Sequence, residues 1–488
     1  MPDSPNILFI MSDDHAFHAI SAYTEMNKRR NIINQTPNID RIGREGAIFT
    51  DCYCTNSICT PSRANILTGK YSHMTGITTL ATKMDNRMDN FAKILQKNGY
   101  QTAMIGKWHL GFRKGNHPAG FDYWNVLPDQ GFYHNPIMIE MGRWGWKRGY
   151  TTDLITDYSM AWLKKRNKEK PFLLMCHHKA PHRPWSPDEK HKDMYKDVLI
   201  PYPETFYDNY ENRADAAEHA TMRISRDFNY DDMKLRKSWN PLGYIKMPEE
   251  SDEFKSKKAF TEWKYQRYIK DYLRCIASVD DNIGRLLDFL ENEGTLDDTI
   301  VIYTSDQGFF LGDHGWYDKR FMYEESLRMP FLIRYPKEIE SGTIISDIIT
   351  NIDFAETFLD FAGVEIPDEM QGYSFRPILN GNVPEDWQDA VYYRYWENGT
   401  MHKVYSHYGI RTKDYKLIYY YCDPLGQKGA RVDEHKPEWE LFDLKKDPYE
   451  IKNVYDEPEY KEIVTKLKDK LHQMQNNVKD SRYYLDKA

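Results

Sequence analysis

Four short apolar runs, each closing on a polar cluster, constrain this chain more than any other feature. Residues 6–11 (NILFIM) lead into Ser12-Asp13-Asp14-His15, and 101–105 lead into Gly106-Lys107-Trp108-His109. Residues 172–176 (FLLMC) precede Ala180-Pro181-His182, and 300–304 (IVIYT) precede Ser305-Asp306-Gln307-Gly308. Such runs read as buried strands of a sheet covered on both faces. Residues 47–49 and 331–335 are further strands. Helical periodicity fills the intervals, over 38–46, 62–67 just after Pro61, 90–98, 152–166, 272–293 and 353–363. In 272–293, Leu273, Ile276, Ile283, Leu286, Leu287 and Leu290 share one face and Gly294 follows as cap. Alternating strands and helices predict an α/β domain with a mostly parallel sheet.

The pattern changes near residue 385. Short strands at 391–396, 407–411, 415–421 and 440–444, then a helix at 457–475, predict a smaller α+β subdomain with an antiparallel sheet. The expected organisation is a catalytic α/β domain over 1–384 and a C-terminal subdomain over 385–488. Residues 186–258, charged, Tyr-rich and weakly periodic, are expected as an insertion running over the surface.

Composition excludes several classes. With 66 basic and 74 acidic residues the net charge is −8, so nucleic acid is not the expected partner. No apolar run reaches the ~18 residues of a membrane span. The start, Met1-Pro2-Asp3-Ser4-Pro5, lacks the features of a signal peptide, which leaves an intracellular chain or a trimmed signal. Six cysteines are too few for a disulfide scaffold in 488 residues, and no second Cys/His pair completes a zinc site around Cys52 and Cys54.

In an open α/β sheet, ligands sit beyond the carboxyl ends of the strands. If the four runs are neighbours, Asp13, Asp14 and Asp306 converge and repel one another unless a cation joins them. An all-oxygen set suits Ca²⁺ or Mg²⁺. The alternative is that these carboxylates only cap helices.

Cys59-Thr60-Pro61-Ser62-Arg63 carries the sharpest signal, and it extends to Ala64-Asn65-Ile66-Leu67-Thr68-Gly69. This segment resembles the signature of the formylglycine-dependent type I sulfatases of the alkaline phosphatase superfamily. The resemblance runs through Asp13-Asp14, Gly106-Lys107-Trp108-His109-Leu110-Gly111, Ala180-Pro181-His182, Ser305-Asp306-Gln307-Gly308, Lys319 and Trp439-Glu440-Leu441-Phe442-Asp443-Leu444 with Asp447-Pro448. It implies an alkaline-phosphatase-like sheet and hydrolysis of a sulfate ester. It also implies oxidation of Cys59 to formylglycine by a maturation enzyme, and Ca²⁺ held by Asp13, Asp14, Asp306, Gln307 and the modified residue 59. The aldehyde hydrate attacks sulfur, and its second hydroxyl then expels sulfate. By similarity, Arg63 holds the diol, while Lys107, Lys319 and His182 bind sulfate oxygens. His109 is the base for diol collapse, and the choice between His182 and Lys319 as acid stays open.

Within the family, the segment 312–325 and the Tyr-rich C-terminal region most resemble bacterial sulfatases of sulfated glycans, glycosaminoglycan or algal. His314, Arg394 and His407 are the candidate substrate-binding residues, with ordinary packing of a Tyr-rich sheet as the alternative for Arg394 and His407. His15, His18 and His73 are expected to be structural, at the surface or behind the reacting groups. That branch implies a periplasmic or secreted setting. The rival readings are a phosphonate monoester or phosphodiester hydrolase of the same superfamily, and a catalytically silent glycan-binding protein.

Overall fold

A computed structural model describes residues 4–26, 33–236, 245–246 and 254–480. Residues 1–3 of the start, and 237–244 and 247–253 of the expected insertion, lie outside the described residues. The main sheet contains β1 (Asn6–Ser12), β2 (Ala47–Tyr53), β3 (Gln101–Lys107), β4 (Tyr123–Leu127), β5 (Ile137–Glu140), β6 (Arg143–Trp146), β7 (Phe172–His177), β8 (Thr299–Ser305), β9 (Arg328–Arg334), β10 (Thr343–Ile345) and β11 (Ile349–Thr350). Their spatial order is β10-β2-β9-β8-β1-β7-β3-β4-β5-β6, with β11 also on β2. The run β8-β1-β7-β3-β4 is parallel, while β9 and the β5–β6 hairpin pair antiparallel to their neighbours.

Strand pleating explains why β1 is apolar throughout. Ile7, Phe9 and Met11 enter one core, and Leu8 and Ile10 enter the core on the opposite face. Helices α1 (Pro37–Arg44), α4 (Thr151–Lys165) and α5 (Lys257–Asn292) cover the second face. Helices α2 (Cys59–Thr68), α3 (Phe91–Lys97) and α6 (Asp353–Phe361) cover the first. Asn90 caps α3 by accepting from the Lys93 amide. The second sheet, β12 (Ala390–Tyr395), β13 (His407–Thr412), β14 (Tyr415–Tyr420) and β15 (Glu438–Asp443), is antiparallel. Helix α7 (Lys461–Asn477) packs on it through Leu467 and Leu471.

Three expectations need correction. Helix α5 has 36 residues and begins fifteen residues before the expected 272. Its early turns carry Tyr and Phe rather than Leu, so aliphatic periodicity missed them, yet Phe260, Tyr265 and Tyr268 are buried. Their partners include Phe206 and Phe228. The segment before α5 therefore does not merely cross the surface: Ile200, Phe206, Ala216, Met222 and Ile224 are also buried. Helix α2 begins at Cys59, three residues earlier than expected.

Burial lowers the His178 imidazole to about 3. A lowered pKa makes protonation favour the unfolded chain, so this group's stabilisation is present above 6.5 and lost as pH falls toward 3. At pH 5 the loss is about 2 kcal/mol. Urea midpoints of wild type and His178→Gln at pH 7 and 5 test this. The wild type should lose that much more stability between the two pH values, and equal losses would refute the assignment.

Candidate active site

Four neighbouring parallel strands end at the same edge. Ser12 and Ser305 are register partners, so the residues that follow them, Asp13 and Asp306, emerge side by side. His177 lies opposite Met11 on one side and Gly106 on the other, which brings Lys107 and the loop to His182 alongside. The Asp306 amide donates to Ser12 O at 3.3 Å and the Asp14 amide to Asp306 Oδ1 at 3.2 Å. Asp13, Asp14, Asp306 and Gln307 are fully buried. One oxygen from each of the three carboxylates falls within 4.8 Å of the others.

Three cations face these carboxylates. Lys107 Nζ pairs with Asp13 Oδ2 and also donates to Gln130 Oε1 at 2.5 Å. Lys319 Nζ reaches both oxygens of Asp14, at 2.5 and 2.7 Å. Arg63, one turn after Cys59 on α2, donates through Nε to Asp306 Oδ2 at 2.9 Å and through Nη1 to Lys107 O at 2.8 Å. Burial alone would raise Asp13, but Lys107, His182, Arg63 and Lys319 hold it well below the ordinary range. Burial and the neighbouring Asp13 charge instead raise Asp306, and burial raises Asp14 against the pull of Lys319. Two of the three carboxylates are thus poorly stabilised as anions by the protein alone. Asp13 Oδ1 and Gln307 Oε1 are buried with no hydrogen-bond partner. Orphaned oxygens beside strained carboxylates are the donor set that a hard divalent cation fits.

Cys59 opens α2, where free backbone amides and the helix dipole favour an anion. Its Sγ accepts from Gln307 Nε2 at 3.7 Å. Burial pushes the thiol well up, only partly offset by Lys319, so an unmodified Cys59 stays protonated and is a poor nucleophile. His109 contacts Asp129 Oδ1 through Nε2 at 3.2 Å and lies near Thr60. Burial and then Lys107 lower it to about 3, so the ring is neutral. His182 Nδ1 donates to Arg183 O at 2.7 Å, which leaves Nε2 facing Asp14 at 3.7 Å. Burial holds this ring well below its usual value despite Asp13.

The structure thus gathers Asp13, Asp14, Cys59, Arg63, Lys107, His109, His182, Asp306, Gln307 and Lys319. It does not bring the three expected sugar-binding residues to them. His314 is buried between Asp208, 3.0 Å from Nδ1, and Glu325, 3.8 Å from Nε2. Arg394 is buried on Asp480 at 2.7 Å, with its guanidinium 3.7 Å from the Trp396 ring centroid. His407 donates to Tyr405 O at 2.7 Å and packs among Tyr393, Tyr395 and Tyr420. Arg394 and His407 stand on opposite faces of the second sheet, Arg394 on the face that packs against α7 and His407 on the face that packs against the main domain, and both faces are buried.

Sequence reasoning missed a second charged cluster around Lys319. Asp318 takes Arg183 Nη2 at 2.9 Å, Arg320 Nε at 3.1 Å and His402 Nε2 at 3.4 Å. Asp318 and Arg320 have φ of 85° and 97°, a strained backbone that side chains adopt mainly at functional sites. The triplet Asp318-Lys319-Arg320 was a visible signal. His402, which is brought in from the C-terminal subdomain, had none.

A cluster of buried carboxylates beside a helix N-terminus, ringed by Lys, Arg and neutral His, suits hydrolysis of an ester of a tetrahedral oxyanion. The sulfatase profile matches residues 5–364, and the profile of the C-terminal part of N-sulphoglucosamine sulphohydrolase matches 312–477. The chain belongs to the sulfatase family and is a sulfuric ester hydrolase. It is 45% identical to an N-acetylglucosamine-6-O-sulfatase of Bacteroides thetaiotaomicron, over 98% of this chain and 87% of that one. A solved structure in complex with its substrate D-glucosamine-2-N,6-O-disulfate superposes with TM-score 0.90 at 44% identity, covering 98% and 99% of the two chains. A phosphonate monoester hydrolase of Agrobacterium radiobacter shares the fold, with TM-score 0.74 at 21% identity over 97% and 96%.

Gly106 lets β3 carry Lys107 into this site. Its φ is 106°, and an added Cβ would lie 1.9 Å from His177 O. Gly106→Ala should cost at least about 2 kcal/mol and reduce turnover by displacing Lys107. A denaturation midpoint unchanged from wild type would contradict this.

Proposed function

We propose that this sulfatase removes the 6-sulfate from a glucosamine unit, N-acetylated or N-sulfated, of a sulfated glycan. The observation that carries the reading is 45% identity over 98% of the chain to a protein named for that reaction. The match to a structure holding D-glucosamine-2-N,6-O-disulfate supports it.

Residue 59 acts as formylglycine, which supplies a hydrated aldehyde able both to attack sulfur and to release sulfate afterwards. The maturation enzyme acts on 59–63 before folding, because every residue of α2 is buried. Calcium, held by Asp13, Asp14, Asp306, Gln307 and residue 59, supplies Lewis acidity at a sulfate oxygen. Arg63 orients Asp306 and fixes the first turn of α2 against the Lys107 carbonyl. Lys107 and the dipole of α2 bind the anionic sulfate. Neutral His109 accepts the proton from residue 59, and Asp129 steadies the imidazolium that results. His182 Nε2 and Lys319 Nζ both converge on Asp14; Lys319 already carries a proton for the departing alcohol, whereas His182, neutral and donating from Nδ1, must first take one up on Nε2. Asp318 and Arg320, on either side of Lys319, present an acceptor and donors to the hydroxyls of the sugar that bears the sulfate. Such a substrate is met in the periplasm or outside the cell.

Sulfate release from glucosamine-6-sulfate, N-acetylglucosamine-6-sulfate, uronate-2-sulfate and galactose sulfates tests the substrate, with a phosphate diester as control. Release from the 6-sulfated glucosamines alone is expected. Release only from another sugar would overturn the linkage, and turnover of the phosphate diester alone would overturn the ester class. Removing the alcohol's proton donor should cut turnover of sugar sulfates ~10²-fold or more but spare 4-nitrophenyl sulfate, whose leaving group needs no proton. Comparing His182→Ala with Lys319→Ala on both substrates identifies that donor.

Metal binding has its own readout. At calcium one hundred times its Kd, binding adds about 2.7 kcal/mol, a rise of a few degrees in Tm for a chain of this size. Protein stripped with a chelator should show that rise on adding calcium, and Asp306→Asn should show much less. An equal rise in both would remove Asp306 from the ligand set.

A further inference from the structure

The β5–β6 hairpin at the edge of the main sheet leaves large aromatic side chains in solvent. Trp144 is 56% exposed and Trp146 70%, with Phe132 at 66% and Phe112 at 40%. Single exposed apolar residues are ordinary, but a cluster of aromatics marks a binding surface. Trp144 is register partner to Ile139, and Trp146 to Ile137, so both tryptophans stand on the Ile139 face of the hairpin. Ile139 itself is in the core that contains Trp108 and Leu110, the neighbours of His109. Phe112 meets Trp144 edge to face, with centroids 6.0 Å apart. Trp146 is anchored by donating Nε1 to Asn135 O at 2.8 Å.

Two chain segments make this surface continuous with the active site. Phe112 lies three residues after His109, a reach of at most ~10 Å. Phe132 lies two residues after Gln130, which accepts from Lys107. The charge also fits a particular partner. Arg113, next to Phe112, is exposed and has no ion-pair partner among the described residues, whereas Arg143, register partner to Glu140, stands on the other face of the hairpin. The nearby acids are engaged: Asp129 with His109, and Glu140 with Tyr123 and Lys147. An acidic chain of net charge −8 thus presents a free cation, Arg113, beside exposed aromatics on the segment that follows His109.

We infer that Phe112, Phe132, Trp144 and Trp146, with Arg113, form a platform that binds sugar units adjoining the one being desulfated. The inference rests on the glycan reading above. The apolar face of a pyranose ring packs on an aromatic ring, and guanidinium groups take the sulfates and carboxylates at the ring's edge in paired hydrogen bonds. The platform selects for chain length, whereas the buried site selects the sulfate.

The test uses the matured full chain with calcium and two variants, the double variant Trp144→Ala/Trp146→Ala and, separately, Arg113→Glu. All these side chains are exposed, and Tm close to wild type confirms folding. Substrates are glucosamine-6-sulfate and a 6-sulfated heparan hexasaccharide, and titration calorimetry measures hexasaccharide binding at fixed salt. For both variants KM for the hexasaccharide should rise about tenfold, with kcat and all monosaccharide kinetics unchanged. Hexasaccharide binding should weaken by the same factor. Unchanged hexasaccharide KM and affinity would overturn the inference. So would a wild-type dimer that the tryptophan variant converts to monomer, or wild-type binding to phosphatidylserine vesicles that the variant loses while hexasaccharide affinity is kept. If wild type turns over neither sugar, the proposed function fails, and calorimetry still decides the platform by whether the variants lose hexasaccharide affinity.

Discussion

Holding three carboxylates together without water is the constraint on which the rest of this protein depends. An isolated buried carboxylate is costly, and three within ligand-sharing distance repel one another as well. The chain answers with three cations drawn from distant parts of the sequence: Lys107 at the end of β3, Arg63 on α2 and Lys319 after β8. Each must arrive with its own hydrogen bonds satisfied. Much of the sheet's edge architecture is accordingly devoted to delivering charge.

The same need explains the packing around the site. Helix α2 has no polar face, and all ten of its residues are buried. Asn351 donates to Ser62 Oγ, Asn65 contacts Thr55 and Ser72, and Ser62 donates to Asp306 O. Polar side chains inside the core are tolerated because each is paired, and paired networks fix one geometry. Residue 59 is positioned by this network rather than by its own bonds.

Buried charge also ties the subdomains together. Glu324, in the loop after Lys319, meets Arg411 and Lys416 of the second sheet, and Lys416 pairs with Glu450. His402 from that subdomain reaches Asp318 and also takes the Thr221 carbonyl of the segment before α5. Breaking one partner of such a pair leaves an uncompensated charge, which costs far more than an exposed pair would. The C-terminal subdomain therefore takes part in shaping the active site.

The sequence by itself determined the parallel core and the convergence of Asp13, Asp14 and Asp306 at its edge. Strands apolar on both faces can only be central strands, and their polar ends then share one edge. It also marked residue 59 through the spacing of Cys, Pro and Arg. Tertiary structure decided what alternation and spacing do not encode. It buried Arg394 and His407 among the aromatic side chains on the two covered faces of the second sheet, and it buried His314 between two acids. It extended α5 over turns rich in Tyr and Phe, whose partners lie some fifty residues away in sequence. It also brought His402 to Asp318, because a contact across 84 residues depends on how two sheets pack and leaves no local pattern.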